Sequence, residues 1–383
     1  MTVEKSAIEW RRHLHQYPEF GTEEFKTAEF VANKLEEFGL EVHRGIGGTG
    51  VVGILRQGIS ERSIGLRADM DALRIKEENT FCHASKHEGA MHACGHDGHT
   101  AMLLGAACEL AQSRNFDGIV YFIFQPDEER GTGAKAMIAD GLFTRWNMDA
   151  IYAMHNLPGI PAGKFVTRPS SVMASESSFE IRINATGGHA ALPHMGTDPI
   201  VVGAQVVTAL QTIVSRNLSA INETAVISVT NFETNGTVNV IPSQVTITGD
   251  TRSFTDEALH KIEKGIERVV AGQCMSAGVD YQYHFNNSFL STINTPEETQ
   301  HAIAAAEAVV GSDNVIGNCE PFTISEDFSF MLREVKGCYI LVGNGVGECG
   351  GTALHNPHYD FNDDILGTGM RYWQTLVEQQ LAK

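Results

Sequence analysis

Five short runs of the chain are rich in apolar and β-branched residues: VVGIL (51–55), SIGLRA (63–68), IVYFIF (119–124), AIYAM (150–154) and CYILVG (338–343). Several are almost wholly apolar, as strands buried on both faces tend to be. Helical spacing lies between and beside them. Phe25, Ala28, Val31, Leu35 and Phe38 recur three to four residues apart, which predicts a helix over 22–38 with Gly39 as its stop. Stretches 99–112 and 297–310 also read as helical. The alternation predicts an α/β domain with a mixed, largely parallel sheet and helices on both faces.

The rhythm changes between about 177 and 288. FEIRINA (179–185) alternates as a strand does. A helix is expected from Thr197-Asp198-Pro199, where a cap residue precedes a proline at the first helical position. Strands TAVISVT (224–230) and QVTITGDTR (244–252) follow, with Val245 and Ile247 on one face and Thr246 and Thr248 on the other. A second helix is expected near Thr255, and VDYQYHF (279–285) closes the unit. The order β-α-β-β-α-β matches a ferredoxin-like α+β domain. The expected organisation is a discontinuous domain of residues 1–176 and 289–383, with 177–288 inserted into it.

At 383 residues the chain exceeds one typical core. The formal charge of −19 argues against nucleic acid, which calls for clustered lysine and arginine, and against an anionic membrane surface. No run approaches about 18 uninterrupted apolar residues, and the N-terminus has no apolar signal-peptide core. Seven irregularly spaced cysteines do not make a disulfide framework. A cytoplasmic location, where thiols stay reduced, is the expectation.

Candidate chemistry concentrates in MHACGHDGHT (91–100). Cys94 and His96 are one residue apart, so on extended backbone they point the same way. A thiolate and an imidazole aimed at one point suit a borderline-soft divalent cation. Further candidates fall just beyond strand ends: Gln125-Pro126-Asp127-Glu128-Glu129, His155, and His355 after a glycine-rich loop. Open α/β sheets place their sites at that edge. Cys94, His96, Glu129, His155 and His355 exceed what one tetrahedral structural site needs. They suit two metals sharing a bridge, or one open catalytic site. Adjacent Glu128 and Glu129 suggest that one binds metal while the other serves as general base.

The chain resembles the aminoacylase and carboxypeptidase G clan of dinuclear metallopeptidases. Within it, the chain is similar to the amidohydrolase branch of hippurate hydrolases, N-acyl-L-amino acid amidohydrolases and auxin-conjugate (IAA-amino acid) hydrolases. RRHLHQYPEFGTEE (11–24), LRADMDAL (66–73), MHACGHDGHTAMLLGAA (91–107), QPDEE (125–129), AMHNLPG (153–159), GGHAALPHMGTDPI (187–200), NVIP (239–242), SEDFS (325–329) and LHNPHYDFND (354–363) carry the resemblance, in order. It implies a zinc-peptidase-like catalytic domain with a lid and dimerisation domain. It implies that Cys94 bridges two divalent metals, zinc or manganese with cobalt or nickel as alternatives, and that His96, Glu129, His155 and His355 complete the set. Glu128 would be the general base and acid. His189 would stabilise the oxyanion, in its own subunit or a partner's. Asn239 and Arg252 would bind the substrate's carbonyl or carboxylate. Asp71 and Asp97 would orient ligands. Asp127 departs from the branch, where a small residue is common. Pointing inward it would raise the pKa of Glu128; facing solvent it would do little.

The implied activity is hydrolysis of N-acyl amino acids, hippurate-like or N-acetylated, to a carboxylic acid and a free amino acid by metal-activated water. A homodimer through the lid domain goes with it. A dipeptidase or aminopeptidase on the same dinuclear site is the alternative, and a non-catalytic binding protein on the same fold a third reading. GIGGTG (45–50) has dinucleotide-loop spacing but precedes a strand-like run, so it reads as a turn. In HEGAMH (87–92) the histidines are five apart and do not share a helix face.

Overall fold

A computed structural model describes residues 2–383. The chain divides into two compact units. One comprises Met1–Val172, Ile293–Pro321 and Glu326–Lys383; the other comprises Met173–Thr292 with Phe322–Ser325.

The larger unit is built on an eight-stranded mixed sheet. Its spatial order is Glu41–Ile46, Gly50–Gln57, Gly118–Gln125, Ser63–Asp69, Ala150–Pro158, Gly337–Gly345, Phe165–Val166, Val315–Ile316. The four central strands, Gly118–Gln125 through Gly337–Gly345, run parallel. Antiparallel pairings flank them on both sides. Four of the five apolar runs form these central strands and VVGIL lies in the adjacent antiparallel strand Gly50–Gln57; every residue of Ser63–Asp69, Gly118–Gln125 and Gly337–Gly345 is buried. GIGGTG is the turn between the first two strands, with Gly47 and Gly48 at positive φ.

Two helices differ from expectation at their starts. The first runs from Phe25 to Glu37, because Thr22 sits at φ 69° and cannot belong to a right-handed helix. The other runs from His96 to Ser113, three residues earlier than expected. Its sequence is apolar on all sides, and a helix of that kind must be covered all round. It packs against helices Val3–Gln16 and Leu366–Gln380, with Met102, Leu103, Ala106 and Leu110 in the core.

The smaller unit has one four-stranded antiparallel sheet in the order Ala225–Thr234, Gln244–Ser253, Glu176–Asn184, Asp280–Phe289. With helices Pro199–Thr212 and Asp256–Ala277 between strands, this is the ferredoxin-like arrangement. Asp198 and Thr255 cap the two helices through their side chains. Phe179, Ile181, Ile183, Val245 and Ile247 face Val202, Val206, Ile262 and Ile266 in the core. The segment Pro199–Asn217 is long and apolar enough to cross a membrane by length and composition. Its inner face packs on the sheet, while Ile200 and Val201 on the same helix are exposed.

The start of the helix His96–Ser113 depends on a close approach. A Cβ on Gly98 would lie 2.3 Å from the ring of Phe361, which is itself buried. Gly98→Ala gains about 1 kcal/mol in helix propensity but overpacks a rigid ring at up to about 3 kcal/mol. The substitution should therefore lower the unfolding free energy by about 2 kcal/mol, measured by urea denaturation. An unchanged or higher midpoint would mean that the ring has room to shift.

Candidate metal centre

The parallel strands end on one edge, and the candidate ligands collect there. Cys94 does not lie on extended backbone with His96. Gly95 between them adopts a left-handed turn at φ 97°, and His96 opens the helix. A Cβ at Gly95 would meet Asn156 Oδ1 at 2.3 Å and the Tyr359 hydroxyl at 2.6 Å, so the turn needs glycine for space as well as for φ. His155 lies within the strand Ala150–Pro158, near its C-terminal end. His355 sits in a loop at φ 61°, with its N–H donating to Ala93 O at 2.8 Å.

These residues meet. One ligating atom each from Cys94, His96 and Glu129 lies within 4.8 Å of the others. His155 Nε2 is 3.4 Å from Cys94 Sγ. His355 Nε2 is 3.5 Å from Glu129 Oε1, and His96 Nε2 is 3.9 Å from the same oxygen. Cys94 thus touches the His155 side and belongs to the His96–Glu129 side as well.

The hydrogen bonds leave ligating atoms free. His155 Nδ1 donates to Asn156 O at 2.6 Å, and His96 Nδ1 donates to Asp71 O at 2.9 Å, with Asp71 Oδ1 at 3.2 Å. In each ring Nε2 then carries the lone pair, the usual arrangement for a metal-binding histidine. The Glu129 N–H donates to Asp71 Oδ2 at 3.0 Å. Among the described residues, His96 Nε2 and Glu129 Oε1 are buried with no hydrogen-bond partner. Such atoms are costly unless something else satisfies them, and a divalent cation fits both.

The electrostatics agree. Burial lowers His96, but Asp69, Asp71 and Glu129 outweigh it and push it up to about 10. Burial, then Glu129 and Glu128, push the Cys94 thiol well above its ordinary value. A nearby dication is what turns such a thiol into a thiolate. Burial and His99 hold His155 well below the usual range, in the neutral ligating form.

Glu128 is buried beside this group. It accepts one long hydrogen bond, from the Asp327 N–H at 3.4 Å. Burial first, then Glu326, Glu129 and Asp327, raise it well above the usual carboxylate range. Asp127 behaves in neither expected way. It is buried at φ 52°, and its carboxylate binds Arg130 at 2.6 Å and the Thr132 hydroxyl, holding the turn.

Asp97 corrects an expectation. It pairs with Arg11 and His15, each at 2.8 Å, and holds the N-terminal helix rather than a ligand. Asp71 contacts His96 and Glu129 as expected. No sequence pattern gives a role to Arg67, Asp69, Asn156, Glu326 or Asp327. LRADMDAL and SEDFS stand out as motifs, but nothing in them signals that the two segments pair.

Three expected residues lie in the smaller unit. His189 and Asn239 are brought together, because Gly188–His189 pairs with Val240–Ile241 and the Ala190 N–H donates to Asn239 O. The Ala191 N–H donates to His189 Nδ1 at 3.1 Å, which leaves the ring proton on Nε2. Arg252 is bound to Glu176 at 2.6 Å, Asp250 at 3.0 Å and Ser325 Oγ at 2.9 Å.

Residues 65–379 match peptidase family M20/M25/M40. A hippurate hydrolase of Campylobacter jejuni is 39% identical over 371 residues, covering 97% of this chain and 95% of that protein. An N-acetyl-L-cysteine deacetylase of Bacillus subtilis is 36% identical over 370 residues, covering 95% and 86%. The solved structure of a dinuclear metal-binding M20 peptidase from Bacillus subtilis superposes with a TM-score of 0.86 at 30% identity. It covers 99% of this chain and 98% of that one. With this breadth of match, over a fold and a ligand cluster of this kind, the chain belongs to peptidase family M20/M25/M40 and is a metallo-amidohydrolase.

Proposed function

We propose that the protein hydrolyses N-acyl amino acids to a carboxylic acid and a free amino acid. The observation that carries this reading is the division between neighbours at the strand end. Glu129 turns a partnerless buried oxygen to the ligand cluster, while Glu128 keeps a raised, almost unbonded carboxyl beside it. The hippurate hydrolase and the N-acetyl-L-cysteine deacetylase among the relatives favour N-acyl substrates.

Cys94, His96, Glu129, His155 and His355 would hold two divalent cations, with Cys94 as the shared ligand. Zinc or manganese suits this mixed S, N and O set, as cobalt or nickel would. Such cations supply Lewis acidity to the amide carbonyl and acidify a water to about pKa 7. Glu128 takes the proton of the attacking water and later delivers it to the departing amine nitrogen. A carboxyl raised above the usual carboxylate range by burial suits a group that takes a proton and returns it. His189, with its proton on Nε2, is the proposed donor to the tetrahedral oxyanion. Asn239 and Arg252 are proposed to hold the substrate's carbonyl or carboxylate, Arg252 by exchanging Glu176 for it.

The smaller unit is the proposed lid and dimerisation domain. Its edge strand Ala225–Thr234 exposes Val226 and Phe232, and the helix beside it exposes Ile200 and Val201. Apolar surface on an exposed sheet edge invites a second copy. All seven cysteines are free thiols, and a Cys94 ligand requires that state. Both support a cytoplasmic homodimer.

Three outcomes test the reading. The metal-loaded protein should hydrolyse hippurate or N-acetyl amino acids faster than dipeptides with a free amine, as read by ninhydrin or chromatography, and chelator should abolish the rate. A preference for dipeptides would favour the peptidase alternative, and a chelator-insensitive rate would remove the metals from the chemistry. Glu128→Gln should retain the metals and lose about 10²–10⁴-fold in kcat; wild-type turnover in that variant would refute the base assignment. Cys94→Ala should lose metal by elemental analysis, whereas Cys94→Asp should recover part of it. Full metal content in Cys94→Ala would exclude a bridging thiolate.

A further inference from the structure

We propose that Arg67 is a positioning residue that orients both sides of the centre at once, Glu128 through one arm and His155 through the other. The inference rests on the reading of Glu128 as base and His155 as ligand.

Arg67 lies in the strand Ser63–Asp69 and is 1% exposed. Each face of its guanidinium fork is used. Nε donates to Gln125 Oε1 at 2.9 Å, and Nη1 to Asp69 Oδ2 at 2.7 Å. Nη2 donates to Glu326 Oε1 at 2.9 Å and Asp327 Oδ1 at 3.1 Å. The ring of Phe328 lies 5.8 Å away. A planar, permanently charged fork can serve these oxygens together; an ammonium cannot.

The first arm leads to Glu128. Asp327 is held by Arg67, by Gln125 Nε2 at 2.7 Å and by the Ala134 N–H at 2.9 Å. Its own N–H then makes the hydrogen bond to Glu128. Glu326 is saturated by Arg67, the Phe328 N–H at 3.0 Å and the Tyr339 hydroxyl at 2.7 Å. Glu128, Glu326 and Asp327 each bring an oxygen within 4.8 Å of the others. Three carboxylates that close repel one another, and fixing two of them fixes the space left to the third.

The second arm leads to His155. Asp69 Oδ1 accepts from His99 Nδ1 at 2.7 Å. With Nδ1 donating to Asp69, His99 Nε2 accepts from the Asn156 N–H at 3.0 Å, which fixes that residue's backbone. Asn156 O in turn accepts from His155 Nδ1, which aims Nε2 at Cys94. Each link is buried.

The two arms predict separable effects, which a merely structural ion cluster would not. Three variants of the metal-reconstituted enzyme are compared with wild type on hippurate or the best N-acyl substrate found. Steady-state kinetics give kcat and KM, and chelator competition gives metal affinity. Glu326→Gln, nearly isosteric, should lower kcat about tenfold or more, with KM and metal affinity within about twofold. Asp69→Asn should weaken metal binding about 10–100-fold. Arg67→Lys should do both. Circular dichroism and thermal melting confirm folding, and if Arg67→Lys does not fold the two single-arm variants decide. Folded Glu326→Gln and Asp69→Asn enzymes with wild-type kcat and metal affinity would overturn the proposal. So would a loss of both quantities in parallel with melting temperature in every variant. Metal affinity is read without substrate, so failure of the proposed activity would show as a wild type that binds metal and hydrolyses nothing.

Discussion

A surplus of buried negative charge governs the larger unit. Asp69, Asp71, Glu128, Glu326 and Asp327 are all buried near the ligand cluster, with Glu129 beside them. Removing a carboxylate from water costs several kcal/mol unless it is paired, and Arg67 is the one buried guanidinium that pairs with this group among the described residues. Arg67 compensates Asp69, Glu326 and Asp327. Burial and the neighbouring carboxylates raise Glu128 well above the usual carboxylate range, so its charged form is the least favoured of the group. Against its burial, Asp69, Asp71 and Glu129 push His96 up to about 10, which marks the negative field that any positive charge at His96 Nε2 would meet. Proton and dication therefore compete for one field. The surplus around the candidate ligands would add to the pull of the ligands themselves on a cation.

The topology explains why this surplus collects in one place. Parallel strands deliver their C-terminal ends to a single edge, and the chain leaves each end in a loop free to turn toward the neighbours. Two of those loops carry backbone strain: Asp127 and His355 both have positive φ without being glycine. Each is held by its own bonds. Asp127 is fixed by Arg130, Thr132 and a donated N–H to Glu24 at 2.9 Å. His355 is tied to Ala93, directly before Cys94. Strain at these positions lies beside the residues proposed to do the chemistry, as is common where a site over-determines its backbone.

Much of this was legible in the sequence, for local reasons. Strands buried on both faces announce themselves as apolar runs, and the two unit types differ visibly in rhythm. Cys94 and His96 stand in a motif dense enough to read as ligands, although Gly95 turns left-handed where extended backbone was expected. Asp97 misled because it adjoins His96. One residue along a helix is about 100° around its axis, so Asp97 faces Arg11 while His96 faces Glu129. What sequence could not show is pairing at a distance. Arg67 and Glu326 are 259 positions apart, and neither carries a local pattern that names the other.

The same contrast decides what sets the proposed base. Asp127 adjoins Glu128 and was the obvious source of repulsion, yet its carboxylate is spent on Arg130 and Thr132. The largest charges that act on Glu128 after burial belong to Glu326, Glu129 and Asp327. Two of these three come from a segment some 200 residues away, and they face Glu128 because one guanidinium and a short helix start hold them there. An acid at position 127 is then tolerated where a small residue would serve, since the turn consumes its charge. The surroundings of Glu128, the proposed base, are consequently a property of how the strand Ser63–Asp69 meets the segment 326–328, and a change at either end reaches it without touching its neighbours in sequence.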